Sequence, residues 1–398
     1  MVVLSNNDGC AVARSAEVKA LGVKMGAPWF KLKELAKEHG IIAYSSNYTL
    51  YGDMSNRVMT ILRDFSPDIE VYSIDESFLR VESVLPLHES ASHLGHTMRS
   101  RIRMWTGLPV CVGFGPSKTL AKLANHLAKK NAQFNGVCDL TSFTHAERDS
   151  WMSRTEINEV WGVGRRIAER LKRMNVHSVL DLCHASPKML RTHFGVVMER
   201  VVCELQGESC LALEEVSPPK KQIMASRSFG SPVYSIEDLG EAVSSYIARA
   251  AEKLRRQSSM ASAVHVFIHT SHFDPKEPLY SAGLVVPMPN PTDDTVALTH
   301  GALAGLDRIY KLGPKYKKAG VMLMGLTDKS VQQGTLFDET TVPQRSSKMM
   351  ATMDALNGRF GRDKLRLASS GLSRDWAMRS GNCSPKYTTS WHDVPIVR

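Results

Sequence analysis

The segment Asp68-Ile-Glu-Val-Tyr72-Ser-Ile-Asp75-Glu76-Ser-Phe-Leu-Arg-Val81 constrains what this chain can fold into more than any other stretch. Two short runs alternate apolar and polar residues and meet at adjacent carboxylates, the pattern of a β-hairpin with acid at its tip. Successive strand side chains point to opposite faces, so Asp75 and Glu76 converge on one ion only if the backbone turns there. On this reading Ile69 and Val71 share a face before the acids, and Leu79 and Val81 share one after them. Paired carboxylates on rigid strands suit Mg²⁺, which takes oxygen ligands and completes its shell with water and substrate phosphates. For an isolated Asp-Glu pair, an exposed turn with merely solvated charges is the competing reading.

With 398 residues the chain exceeds one ordinary core, and several domains are expected. Lysine and arginine exceed the acids by 50 to 40, a formal charge of +10 that favours a polyanionic partner, nucleic acid first. No run of about eighteen apolar residues is present to span a bilayer, and no signal peptide is evident. A soluble, cytoplasmic protein without a membrane partner is therefore expected. The seven cysteines, at 10, 111, 138, 183, 203, 210 and 383, contain no Cys-x-x-Cys and read as reduced thiols, which argues against zinc.

The text around the acids carries a resemblance. Tyr72-Ser-Ile-Asp-Glu-Ser-Phe78 resembles the palm motif of the Y-family translesion DNA polymerases. Four further segments, Ser5-Asn-Asn-Asp-Gly-Cys-Ala-Val-Ala-Arg14, Ala20-Leu-Gly-Val-Lys-Met-Gly26, Ser45-Ser-Asn-Tyr48 and Ser117-Lys-Thr-Leu-Ala-Lys-Leu-Ala-Asn-His126, are similar to the UmuC-like branch, the catalytic subunits of bacterial DNA polymerase V. The likeness runs the length of the chain. It implies an α+β multidomain right hand: fingers at 1–46, palm at 47–140, thumb at 141–216, little finger at 222–325 and a C-terminal tail at 326–398. It also implies that the segment preceding residue 1 in the family, with the first palm strand, a metal-binding aspartate and the aromatic steric gate, is missing. Little polymerase activity is expected of the chain as given, and upstream residues are expected to restore it.

By the same resemblance Arg14 and Lys19 contact the triphosphate of an incoming deoxynucleotide, although Ala16 and Lys19 stand where the wider family has Tyr-x-x-Arg. A point charge there replaces a bidentate fork. Leu108-Pro-Val-Cys-Val-Gly-Phe-Gly115 reads as a strand ending in glycine, followed by a helix with Leu120, Leu123, Ala124 and Leu127 on one face. Such a helix start offers backbone N–H groups to anions. Lys122 lies one turn beyond Lys118, and the resemblance assigns Lys122 to the triphosphate, with Lys118 the weaker candidate.

In Ile157-Asn-Glu-Val-Trp-Gly162-Val-Gly164-Arg165-Arg166-Ile-Ala-Glu-Arg-Leu171, a helix, a Gly-x-Gly turn and a basic helix are expected. Without the third glycine and preceding strand of a dinucleotide fold, it resembles the helix-hairpin-helix that holds duplex DNA by its phosphates; a plain αα-hairpin is the alternative. Residues 223–325 then read as a separate α/β unit with Arg227 as a DNA contact, and His265, His269 and His272 are expected to be structural. Gln333-Gly-Thr-Leu336-Phe337 resembles a sliding-clamp peptide, and Ser384-Pro-Lys-Tyr-Thr-Thr389 a segment that holds a processed UmuD dimer. A RecA filament is a further candidate partner.

The function so implied is error-prone translesion synthesis in the SOS response, with Asp75 and Glu76 holding two Mg²⁺ ions for nucleotidyl transfer. The alternative is a truncated, catalytically inactive subunit that binds DNA and clamp. A helix-hairpin-helix nuclease is disfavoured, because no second acidic cluster accompanies the hairpin.

Overall fold

The computed structural model describes residues 1–214, 218–273, 277–331, 344–372 and 374–396. The chain divides into two compact units: Met1–Asn47 with Pro218–Pro385, and Tyr48–Ser217 with Lys386–Arg398. The clamp-like peptide Gln333–Phe337 lies outside the described residues.

The first unit begins with β1 (Val2–Leu4), β2 (Ala11–Arg14), α1 (Ala16–Ala20), α2 (Trp29–Glu38) and β3 (Ala43–Ser45). Strand β1 runs antiparallel to β2 and parallel to β3. Val2, Leu4, Ala11, Val18 and Val23 fill a small core beneath this sheet. Asn7 and Asp8 both take positive φ in the turn after β1, a conformation that Asn and Asp tolerate better than most residues. There Asp8 accepts hydrogen bonds from the Ser45 hydroxyl at 2.6 Å and from Gly381 N–H at 3.1 Å.

The second unit opens with α3 (Tyr48–Arg63), the hairpin β4 (Ile69–Val71) and β5 (Ser77–Leu79), and α4 (Ala91–Thr106). Then follow β6 (Val112–Phe114), α5 (Lys118–Lys130) and β7 (Val137–Asp139), β6 and β7 being parallel. One core joins Val58, Met59, Ile61 and Leu62 of α3 to Leu94, Met98 and Ile102 of α4 and to Ile69 and Phe114. Beyond it α6 (His145–Arg154), α7 (Arg165–Lys172), α8 (Val179–His184), α9 (Pro187–Phe194) and α10 (Val196–Leu205) build a helical core. The buried face of α5, Leu120, Leu123, Ala124 and Leu127, belongs to this second core.

The chain returns to the first unit with β8 (Ile223–Val233), α11 (Ile236–Arg256), β9 (Ser259–Thr270), β10 (Ser281–Thr292), α12 (Thr295–Ile309) and β11 (Tyr316–Asp328), and then α13 (Gln344–Phe360). The sheet is antiparallel throughout, in order β10-β9-β11-β8. Leu239, Val243, Tyr246, Ile247, Ala250 and Leu254 recur at helical spacing on α11 and are buried against it. Along β10 exposed and half-buried residues alternate, the signature of a sheet open to solvent on one face.

Two expectations are modified. Residues 157–159 form one 3₁₀ turn, not an α-helix, because too few residues precede the glycine turn to complete a helical nucleus. Val71 is 45% exposed and does not share the buried face of Ile69; Glu70 is buried in its place, for the reason given below.

Glycine at 113 is required by packing. A Cβ there would lie 2.2 Å from the backbone nitrogen of Asn125 and 2.5 Å from the carbonyl oxygen of Ala121, both on α5. Gly113→Ala should therefore push α5 off β6 and destabilise the unit by about 1–3 kcal/mol, read as a lowered urea midpoint with unchanged secondary-structure content at zero denaturant.

Candidate active site and nucleic-acid interface

The acids sit where the hairpin turns. Strands β4 and β5 pair Ile69 with Leu79, Glu70 with Phe78 and Val71 with Ser77, and Ser73 N–H closes the turn on the carbonyl of Glu76 at 3.0 Å. Asp75 is exposed and accepts the Ser73 hydroxyl at 2.7 Å. Glu76 forms an ion pair with Lys122. The hairpin therefore presents hard carboxylate oxygens to solvent, a donor set that fits a Mg²⁺ ion whose remaining positions are taken by water and phosphate. Among the described residues of this unit, no third histidine, cysteine, aspartate or glutamate joins them in a ligand cluster.

Helix α5 supplies the cations. Its cap, Ser117, accepts from Leu120 N–H at 3.2 Å and donates to the carbonyl of Glu204 at 2.7 Å. Lys118 pairs with the buried carboxylate of Glu70 and donates to the carbonyl of Ala212 at 2.7 Å. Glu70 also accepts Glu214 N–H at 2.7 Å. These partners account for the inversion on β4: a buried carboxylate needs a cation and donors, and Lys118 provides the cation.

An aromatic wall stands beside both lysines. Tyr72, Phe78 and Trp161 pack with ring centroids 5.3–5.8 Å apart. The Lys122 ammonium lies 5.8 Å from the Tyr72 ring and 5.9 Å from the Trp161 ring, and that of Lys118 lies 5.2 Å from the Phe78 ring, within cation–π range. Trp161 immediately precedes Gly162, so the basic hairpin and the acidic turn share one cluster. Sequence reading assigned no role to Glu70, Glu204 or Trp161; the polar Glu70 between two apolar β4 residues was the only local signal.

The Gly-x-Gly turn has room around both glycines. Gly162 takes φ +88° and Gly164 starts α7. Arg165 and Arg166 project from the first turn of α7 into solvent, and Arg165 is 92% exposed with its guanidinium on Glu169. Arg170 instead donates to the carbonyl of His193.

In the other unit, Arg14 donates to the carbonyl of Val23 at 3.0 Å, its Nε is buried without a partner, and Lys19 is exposed. Arg227 is exposed on β8. His269 meets the Ser281 hydroxyl at 2.6 Å, and burial holds its imidazole below the ordinary range. Cys203, Glu208 and Cys210 come together although no motif announced them, and burial raises both thiols. Burial pushes the Cys138 thiol up to about 12. No helix among the described residues is long and apolar enough to cross a membrane.

Known proteins match this chain along its length. Residues 1–126 match the impB/mucB/samB family and residues 220–336 its C-terminal domain, while 347–397 match a domain of unknown function, DUF4113. The UmuC protein of Salmonella typhimurium is 44% identical, covering 100% of this chain and 94% of that protein. The chain belongs to the impB/mucB/samB family. A DNA polymerase IV of Moorella thermoacetica is 27% identical over 89% of this chain and 84% of its own length. Among solved structures, a Y-family DNA polymerase chimera shares the fold at a TM-score of 0.62, with 21% identity, covering 82% of this chain and 92% of that one. The resemblance to the UmuC-like branch is thereby borne out by family, and the multidomain α+β class by the fold shared with the Y-family chimera.

The Glu70–Lys118 pair gives a direct test of the packing. Both side chains are about nine-tenths buried, so Glu70→Leu, which strands the ammonium, should cost about 3–5 kcal/mol. The double variant Glu70→Leu/Lys118→Met should recover most of that loss in urea unfolding.

Proposed function

We propose that this chain extends primer ends opposite damaged template bases, with Asp75 and Glu76 as the metal-holding carboxylates and Lys122 as the triphosphate cation. The observation that carries this reading is the juxtaposition, at one hairpin tip, of two outward carboxylates and a lysine from the neighbouring helix. When bound there, Mg²⁺ supplies Lewis-acid polarisation and neutralises phosphate charge.

Without substrate, Glu76 holds Lys122 over the turn beside Tyr72 and Trp161. An arriving triphosphate offers a denser negative charge, and the ammonium exchanges one partner for the other with little movement of its stem. Lys118 remains on Glu70 and acts as the brace that sets the position of α5. Arg14 and Lys19 add positive charge from the segment that resembles the fingers. Gly162, Gly164, Arg165 and Arg166 take duplex phosphates without reading sequence, and Arg227 does so from the segment that resembles the little finger. The cellular setting we infer is the cytoplasm during the SOS response, with a sliding clamp at Gln333, Leu336 and Phe337, a processed UmuD dimer and a RecA filament as partners.

A non-catalytic DNA-binding subunit is the second reading, favoured by one observation: no third ligand joins Asp75 and Glu76 among the described residues of their unit. Primer extension with Mg²⁺ separates the two. Extension by the unsubstituted protein that falls by about a hundredfold or more in Asp75→Asn and in Glu76→Gln, with primer-template affinity retained, supports the enzyme. No extension by the unsubstituted protein leaves the binding subunit, and normal extension by both variants removes these residues from the chemistry.

DNA binding should be tolerant of sequence and weaken steeply with salt through counterion release. Arg165→Glu/Arg166→Glu should reduce affinity on all duplexes alike and lower the salt slope by about two, measured by fluorescence anisotropy across a salt series. An unaltered slope would place the duplex elsewhere.

A further inference from the structure

The first unit holds a cavity of about 180 Å³ between β8, α11, α13 and the segment that follows α13. Half of its wall comes from the region matching the domain of unknown function. Two features of that wall are unusual together.

The first is uncompensated positive charge. Asp354 is engaged by Arg255 through two hydrogen bonds, at 2.7 and 2.8 Å, and Asp363 is held by Arg374 at 2.9 Å. Glu252 is held by Arg256 at 2.5 Å. The acids of the wall are thus taken, while Arg227, Arg249, Lys253 and Arg362 have no carboxylate partner within ion-pair distance among the described residues. Burial, with Arg362 and Arg227 nearby, holds the Arg249 guanidinium below its ordinary range. Burial and the same arginines do likewise to the Lys253 ammonium.

The second is a set of orphaned polar atoms. Ser245 Oγ, Tyr246 Oη, Arg374 Nε and Trp376 Nε1 are buried with no hydrogen-bond partner among the described residues, and all four residues contribute to the wall of this cavity. Tyr246 and Trp376 are only 6% and 8% exposed. Burial raises the Tyr246 phenol, so it stays a neutral donor. Leaving such groups unpaired is costly, and all four can donate. A small ligand that carries concentrated negative charge offsets the excess of cations in this wall.

We propose that this cavity binds a phosphate-class oxyanion, inorganic phosphate or pyrophosphate, between the four-stranded sheet unit and the C-terminal region. The volume suits a small anion and is too small for a nucleoside triphosphate or a peptide segment. The anion relieves the repulsion among the cations of α11, β8 and the segment after α13, tying that segment to α11.

Isothermal titration of the full chain with inorganic phosphate and, separately, with pyrophosphate tests this, with sodium chloride at matched ionic strength as control. Saturable binding of either anion is expected, and the tighter of the two identifies the source. Arg249→Gln/Lys253→Gln should weaken it by about tenfold or more, whereas Lys188→Gln, exposed in the other unit, should leave it unchanged. Arg362→Gln, an exposed position on the cavity wall, should weaken it severalfold without disturbing the core. Absence of saturable binding, or binding insensitive to the cavity variants, overturns the proposal.

Discussion

The buried carboxylate of Glu204 is the interaction on which the second unit depends. It is fully buried, one oxygen accepting Thr119 N–H at 2.9 Å and the other accepting Cys210 N–H at 2.7 Å and Leu211 N–H at 3.1 Å. Three backbone donors compensate a charge that could not otherwise leave water, and one of them belongs to the first turn of α5, where the helix dipole favours an anion. The last turn of α10, the loop after it and the start of α5 are thereby held as one piece.

A second carboxylate extends that piece to the hairpin. Glu70 joins β4 to Lys118 on α5 and to the backbone of Glu214. The acids at the hairpin tip and Lys122 are consequently held from two sides, by backbone pairing within β4 and β5 and by ion pairs to α5. Glycine at 113 permits the close approach of β6 to α5, so the strand and the helix carrying the lysines do not slide. Rigid support of this kind is what a site needs when its work is to hold phosphate and metal in register.

In the proposed function, breadth of basic charge serves the other half of the task. The exposed arginines of α7 and Arg227 on β8 lie on surface elements whose apolar faces are already buried, so their substitution changes affinity more than stability. Arg249 and Lys253 of the C-terminal cavity differ in being half-buried and crowded. Such crowding is unfavourable alone, and its persistence in a folded wall is what an anion explains.

Much of this was legible in the chain. Period-two alternation around Asp75 and Glu76, helical spacing in α3, α5 and α11, and the glycines at 113, 162 and 164 are local signals, because they follow from which face of an element must be apolar and where the backbone must turn. Motif resemblance supplied the family. What remained hidden depended on meetings between residues distant in sequence: Glu70 with Lys118, Glu204 with Thr119 and Cys210, Trp161 with Tyr72 and Phe78. A buried carboxylate is indistinguishable in sequence from a solvated one, since its partners arrive only when separate elements pack. The same holds for Tyr246 and Trp376, which read as ordinary core aromatics until the fold placed them in the wall of a charged cavity. Sequence alone determined which elements form and what chemistry their tips carry; tertiary packing decided that Lys118 meets the buried Glu70 while Lys122 meets the half-exposed Glu76, because those partners come together only when separate elements pack.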